Sequence, residues 1–250
     1  MTYCVAVRLE AGMIFASDSR TNAGVDHVAT FCKMKVYEKA DERVIVVLSS
    51  GNLAITQGVT NLLERNAKAR QRTDCPPEIE SITEAETMYD AARIVGEALR
   101  EMQRKDGDFL QQSNIDAGAT LIVGGQIKGE PTRLFLVYTQ GNFIEAGDDT
   151  PFFQLGESKY GKPILDRVIT PGTPQKEAAK CVLISFDSTM KSNISVGLPI
   201  DMLWYPRDSL RVGLQQRIRE NDPYFTMLRT RWGGGLRRVF AELPDPDWLE

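Results

Sequence analysis

The chain reads as an α+β protein, a four-layer αββα sandwich in which two stacked antiparallel sheets lie between helical layers. Two observations predict this. Short apolar runs of strand character come in consecutive groups joined by tight turns, as in antiparallel sheets, and two pairs of amphipathic helical segments interrupt them. The resulting order is strands, two helices, strands, two helices, strands. Each helix pair must cover one outer sheet face, which leaves the inner faces to stack on each other. At 250 residues the chain can bury such a core, and no repeat, low-complexity tract or linker divides it.

The first apolar runs, residues 3–9 and 13–16, flank Glu10-Ala11-Gly12 and predict a β-hairpin at the start of the chain. A polar turn from Asp18 to Gly24 follows. In residues 31–37 the lysines Lys33 and Lys35 stand two apart, so a strand there would put both on one face. Residues 44–48, Val-Ile-Val-Val-Leu, form a continuous apolar run suited to a strand covered on both sides, and it stops at Ser49-Ser50-Gly51-Asn52. Ile55, Val59, Leu62 and Leu63 then make one helical stripe. After a Pro-Pro break, Thr83-Glu84-Ala85-Glu86 reads as a capping box for a helix with Met88, Ala91, Ala92, Val95, Leu99 and Met102 on its apolar face.

Strand character returns at 119–123, where Gly124-Gly125 loosens it, and continues through 133–138 and 142–145 as a meander. Residues 158–168 predict a third helix. Thr173 as N-cap with Pro174 behind it predicts a fourth, ending near 191–193. Residues 194–196 and 201–205 read as strands, and 209–216 can pair with them. From 221 the tail is helical to about 242, broken by Gly233-Gly234-Gly235.

Composition excludes several functions. A net charge of −4 gives no general attraction to nucleic acid or to an anionic membrane. No apolar run approaches the ~20 residues of a membrane helix and no export signal opens the chain, so a cytoplasmic protein is expected. Cys4, Cys32, Cys75 and Cys181 contain no C-x-x-C pair and are read as reduced, with Cys4 and Cys181 as core fillers; neither a metal site nor a cofactor is expected. His27 is the single histidine and reads as structural, which leaves the usual serine–histidine and cysteine–histidine hydrolases without their proton carrier.

The second residue offers another route. Removal of Met1, which the small Thr2 permits, leaves a hydroxyl and a free α-amine on one residue, a nucleophile with its own base. An α-amine titrates at about 7.7 to 8, close to cellular pH. A lysine ammonium beside it would favour the neutral amine and the developing alkoxide, and either Lys33 or Lys35 can fill that place. Asp18, at the end of the strand that pairs back toward Thr2, would hold the lysine. Ser50-Gly51-Asn52, where a buried strand breaks at a glycine, suits a backbone oxyanion site.

With these residues the chain resembles the proteasome β-type peptidases of the N-terminal-nucleophile hydrolases. The segments 17–26, Lys33-Met34 and Ser50-Gly51-Asn52-Leu53-Ala54 are similar in particular to the Anbu branch, the bacterial proteasome-like one. The resemblance runs to about Tyr205. It implies the N-terminal-nucleophile hydrolase fold, threonine peptidase chemistry on peptide or unfolded protein substrates, and assembly into rings or ring-like helical homo-oligomers. Within it Thr2 is the nucleophile, Asp18 the lysine's partner and Gly51 the oxyanion amide. A gapless match puts Met34 at the lysine position, a slip of one residue; the Lys33-Met34 pattern favours Lys33. Ser158, Asp187 and Ser192 most resemble the family's supporting serine and aspartate groups near the amine, although Gly156-Glu157-Ser158 departs from glycine-serine-glycine. The tail 206–250 has no counterpart in a minimal subunit and is assigned to subunit contacts on a single domain spanning 1–250. Other functions for the same fold are an acylase acting on small amides and a non-catalytic ring subunit. No nucleotide-binding motif is present, so an unfolding ATPase would be a separate partner.

Overall fold

β1 (Tyr3–Leu9) and β2 (Gly12–Asp18) form the expected opening hairpin, with Cys4 opposite Ser17 and Leu9 opposite Gly12. The structure, a computed structural model, describes residues 2–22 and 28–249. The readings on Ala23, Gly24 and His27 fall outside those residues.

The hairpin lies inside the first sheet. β10 (Phe152–Gly156) pairs with β1, β11 (Ile200–Pro206) with β2, and β12 (Leu214–Ile218) with β11, all antiparallel. The second sheet runs β5 (Met34–Lys39), β6 (Arg43–Gly51), β7 (Ala119–Ile127), β8 (Arg133–Val137) and β9 (Phe143–Glu145), also antiparallel throughout. A short ribbon of β3 (Arg20–Asn22) and β4 (Val28–Thr30) stands apart.

Strand periodicity sorts the apolar residues into three clusters. On β1, Tyr3, Val5, Val7 and Leu9 face one way into a cluster shared with α3 (Lys162–Val168), α4 (Gln175–Ser192) and α5 (Pro223–Glu242). Cys4 and Ala6 face the other way, into a cluster shared with Val44, Val46 and Leu48 of β6. The remaining face of β6, through Ile45 and Val47, joins a cluster with α1 (Leu53–Arg70) and α2 (Met88–Gln112). Central strands buried on both faces need no polar alternation, which is why β6 is a continuous apolar run. Each large side chain buried this way contributes about 1.5–3 kcal/mol. No helix among the described residues is long and apolar enough to cross a membrane.

Several elements differ from the sequence reading for local reasons. The cap of α2 is Thr87, whose hydroxyl accepts from the Asp90 N–H at 3.1 Å; Thr83 instead sits in a 3-10 turn closed by Ser81. β7 runs straight through Gly124-Gly125, because a side chain at Gly124 would meet Phe15, Met13 and Leu134 in the core. Residues 158–161 are not helical, and α3 starts at Lys162. Thr173 does not cap α4. Its hydroxyl accepts from the Thr170 N–H and donates to the Val168 carbonyl, and the helix opens after Pro174. Residues 194–196 form a turn rather than a strand. α5 is continuous across its three glycines.

Candidate active site

Thr2 stands at the head of β1, buried, and its neighbours come from both sheets. Because Cys4 lies opposite Ser17, the next residues outward, Tyr3 and Asp18, meet: the Tyr3 N–H donates to Asp18 Oδ1 at 3.0 Å. The same oxygen accepts from Lys33 Nζ at 2.7 Å, and the ammonium also donates to the Arg20 carbonyl at 2.7 Å. Lys33 belongs to the other sheet's approach, since its own carbonyl accepts from the Ser49 N–H of β6 at 3.0 Å. The lysine therefore reaches from one sheet to the other. Burial pushes the Asp18 carboxyl upward from its ordinary range, while Lys33 and the Tyr3 and Gly197 amides pull against that rise.

The two lysines do not share a face, contrary to the strand reading of 31–37. β5 begins only at Met34, so Lys33 sits in the preceding loop and turns inward. Lys35 lies on the strand, half exposed, and pairs with Glu64 of α1 at 2.8 Å. Of the two lysines, Lys33 is the one that reaches Asp18.

Gly51 ends β6 with φ +114°, and a Cβ there would come within 2.3 Å of the Gly118 carbonyl, so only glycine fits. Ser49 donates its N–H toward β5 and Asn52 donates to the Gly118 carbonyl on the β7 side. By the same alternation the Gly51 N–H belongs to the β5 side, where β5 has not yet begun. Thr2, Lys33, Lys35, Ser50, Gly51 and Asn52 line one open cavity of about 960 Å³. Asn52 is held by its role as N-cap of α1, its side chain accepting from the Ala54 and Ile55 amides.

On the opposite edge of β1, Gly156 approaches with φ +76°, so close that a Cβ would lie 1.9 Å from the Thr2 carbonyl oxygen. The next residue, Glu157, donates its N–H to that oxygen at 2.8 Å, and its carboxylate accepts from Asn193 Nδ2 at 3.1 Å. Sequence reasoning missed both Glu157 and Asn193. The usable signal was the Phe-Phe-Gln-Leu run of β10, whose pairing with β1 carries the following residues to Thr2.

Among the residues expected from sequence, Thr2, Asp18, Lys33 and Gly51 are brought together. Ser158 stays close along the chain, its N–H bonded to the Gly156 carbonyl at 3.0 Å and its carbonyl accepting from Lys162 at the start of α3. Asp187 is buried on α4 and accepts from Arg229 Nε of α5 at 2.7 Å. Ser192 is the exposed last residue of α4. No described contact joins either to Thr2.

Two antiparallel five-stranded sheets with the N-terminal strand inside one of them, and a buried lysine–aspartate pair beside the second residue, define a protein of the proteasome β-subunit type. Solved structures agree across the whole chain. Anbu (ancestral beta-subunit) from Yersinia bercovieri is 51% identical over 98% of this chain and 99% of its own, with a TM-score of 0.90. Anbu from Hyphomicrobium sp. strain MC1 is 49% identical over 98% and 99%, with a TM-score of 0.89. An Anbu from Pseudomonas aeruginosa, solved as a helical assembly, is 48% identical over 98% of each chain, also at 0.89. The chain belongs to the Anbu family. No family model and no curated protein matches the sequence.

Proposed function

We propose that the chain, after removal of Met1, is a threonine-type hydrolase that cleaves peptide bonds with Thr2 as nucleophile. The observation that carries this reading is the 2.7 Å bond from buried Lys33 to buried Asp18, at the wall of a cavity that Thr2 also lines. Desolvation offsets most of what such a pair contributes to stability. Its presence at a cavity fits a charge kept for chemistry.

In this reading the Thr2 α-amine takes the proton of Thr2 Oγ as Oγ bonds to the substrate carbonyl carbon. The carbonyl π electrons move to oxygen, and the oxyanion faces the Gly51 N–H. Collapse breaks the C–N bond, and the leaving amine receives the proton held by the α-ammonium. Water then attacks the threonyl ester and gives its proton to the α-amine; Oγ departs and recovers that proton, releasing the acid. Lys33 favours the neutral amine and the alkoxide by charge. Ser158 is assigned to the surroundings of the amine, and Asp187 and Ser192 are assigned to structure.

The same reading places three clusters between four layers: α1 and α2, two sheets, then α3, α4 and α5. It takes 206–250 as an extension of the single domain for contacts between copies. α5 supports this with Leu236, Val239 and Phe240, all exposed on one helical stripe, and the exposed Leu243 follows at its C-cap. A homo-oligomer like the helical assembly of the Pseudomonas aeruginosa Anbu would cover them. Peptides or unfolded proteins in the cytoplasm are the proposed substrates, delivered by any ATPase as a separate protein.

Intact mass and a threonine-directed covalent inhibitor test the proposal together. The expected result is a chain starting at Thr2 that gains one inhibitor on that residue, with no adduct on Thr2→Ala. Retention of Met1 in the native protein would block the amine and refute the reading.

A further inference from the structure

We infer that Glu157 sets the protonation of the Thr2 α-amine, and so the pH range in which that amine acts as a base; the inference rests on the threonine chemistry proposed above. Three observations carry it. The Glu157 N–H is bonded to the Thr2 carbonyl at 2.8 Å, which fixes the glutamate backbone against the nucleophile's own residue. Gly156 brings the two backbones so near that even a Cβ would collide with that carbonyl. Asn193 at the end of α4 then donates to the half-buried carboxylate at 3.1 Å and restrains it.

The charge balance around the amine gives this carboxylate its effect. From β2 and the loop before β5, Asp18 and Lys33 form a buried ion pair at 2.7 Å, so the effect of the ammonium on the amine is reduced by the carboxylate it holds. From β3, the Arg20 guanidinium is bound to the Ile194 carbonyl at 2.9 Å. From β11 and β12, Asp201 and Arg217 pair with each other at 2.8 Å. Lys159 and Lys191 nearby in the chain are exposed. Glu157 is bound by a neutral amide, and no described cation pairs with it, so its charge remains to act on the amine. A carboxylate beside an ammonium favours the charged form and raises its pKa. Glu157 therefore opposes Lys33 and holds the amine protonated, hence idle as a base, until the pH rises further. It acts through the amine without touching substrate, which makes it a positioning residue.

Glu157→Gln keeps the backbone bond and the acceptor oxygen while removing the charge, and Glu157→Asp keeps the charge. Amine protonation is read without catalysis, from the pH dependence of Thr2 acetylation by acetic anhydride in the mature chain, followed by peptide mass. Hydrolysis is profiled against pH in parallel. Glu157→Gln should move the amine midpoint and the acid limb of the profile down together by about 0.5 pH unit or more, with Glu157→Asp within about 0.2 of the unmodified protein. An unmoved midpoint in Glu157→Gln overturns the inference while hydrolysis by the same sample leaves the threonine reading standing. Retention of Met1 overturns both.

Discussion

Lys33 and Asp18 meet at 2.7 Å across the gap between the two sheets, with 6% and 0% of their side-chain surfaces exposed. One comes from the loop before β5 and the other from the end of β2, so the bond links the sheets at the edge of the cavity. Removing the lysine strands a buried carboxylate.

Lys33→Ala is therefore expected to lower stability by about 3–5 kcal/mol at pH 8. The loss should shrink in acid. Without Lys33, Asp18 in the folded variant has a pKa raised above its unfolded value. Protonated Asp18 then favours the fold fully below the unfolded pKa, and that support is lost as pH rises through the folded one. Urea unfolding at pH 5 and pH 8 measures the difference. Hydrolysis should fall about 100-fold or more in Lys33→Ala. Lys35→Ala, whose partner Glu64 is an exposed surface contact, should stay within about twofold and change stability by less than about 1 kcal/mol.

The contrast between these lysines marks what the sequence could carry. Period-2 and helical patterns depend on residues near one another in the chain, so the opening hairpin, β6 and the stripes of α1 and α2 were legible. Thr2, Asp18 and Gly51 were legible because each stands at a strand end. The point at which β5 begins depends on the bond from Ser49 to the Lys33 carbonyl, a contact between strands with no local signal. Glu157 reaches Thr2 from a distant part of the chain through the register of β10 on β1, and Asn193 reaches Glu157 from the end of α4. The Arg229 partner of Asp187 was not legible in the sequence, because it sits in the tail.

That partner makes a second test. Asp187 is 1% exposed and, among the described residues, only its Oδ1 has a hydrogen-bond partner, so Arg229→Ala leaves a buried charge and loosens α5 from α4. A loss of about 2 kcal/mol is expected, discounted because Arg229 is partly exposed. Asp187→Asn should be milder, and hydrolysis by it should remain within about twofold of the unmodified protein. A hundredfold loss of activity in a stably folded Asp187→Asn would return the aspartate to the active site.

Two glycines, Gly156 beside Thr2 and Gly234 in α5, should respond in opposite directions. Gly156→Ala drives a Cβ into the Thr2 carbonyl at a positive φ, so β10 must pull away from β1. Loss of covalent-inhibitor labelling at Thr2 is expected, with destabilisation of about 2 kcal/mol or more. Gly234 lies inside α5 with open space where its Cβ would go. Gly234→Ala should stabilise the protein by about 0.5–1 kcal/mol, read as a rise in the thermal midpoint.

The last test concerns the stripe on α5. The first turns of this helix are fastened to α4 by Phe225 and Leu228, while Leu236, Val239 and Phe240 farther along, and Leu243 at the C-cap, are exposed and belong to none of the apolar clusters among the described residues. Phe240 is 77% exposed. Three apolar side chains on one helical face, with Leu243 just past its end, form a patch of the kind that water disfavours and a second copy of the chain can cover. Phe240→Asp puts a charge in the middle of that patch, at a position with little to lose within the monomer. The expected result is an unchanged unfolding midpoint for the subunit and a smaller particle, measured by sedimentation velocity over a range of concentrations. An assembly of undiminished size at every concentration would show that copies meet elsewhere. A charge reversal on the neighbouring polar face, Arg237→Glu, controls for electrostatics: long-range charge would weaken assembly in both variants and more at low salt, whereas burial of the stripe weakens it in Phe240→Asp alone.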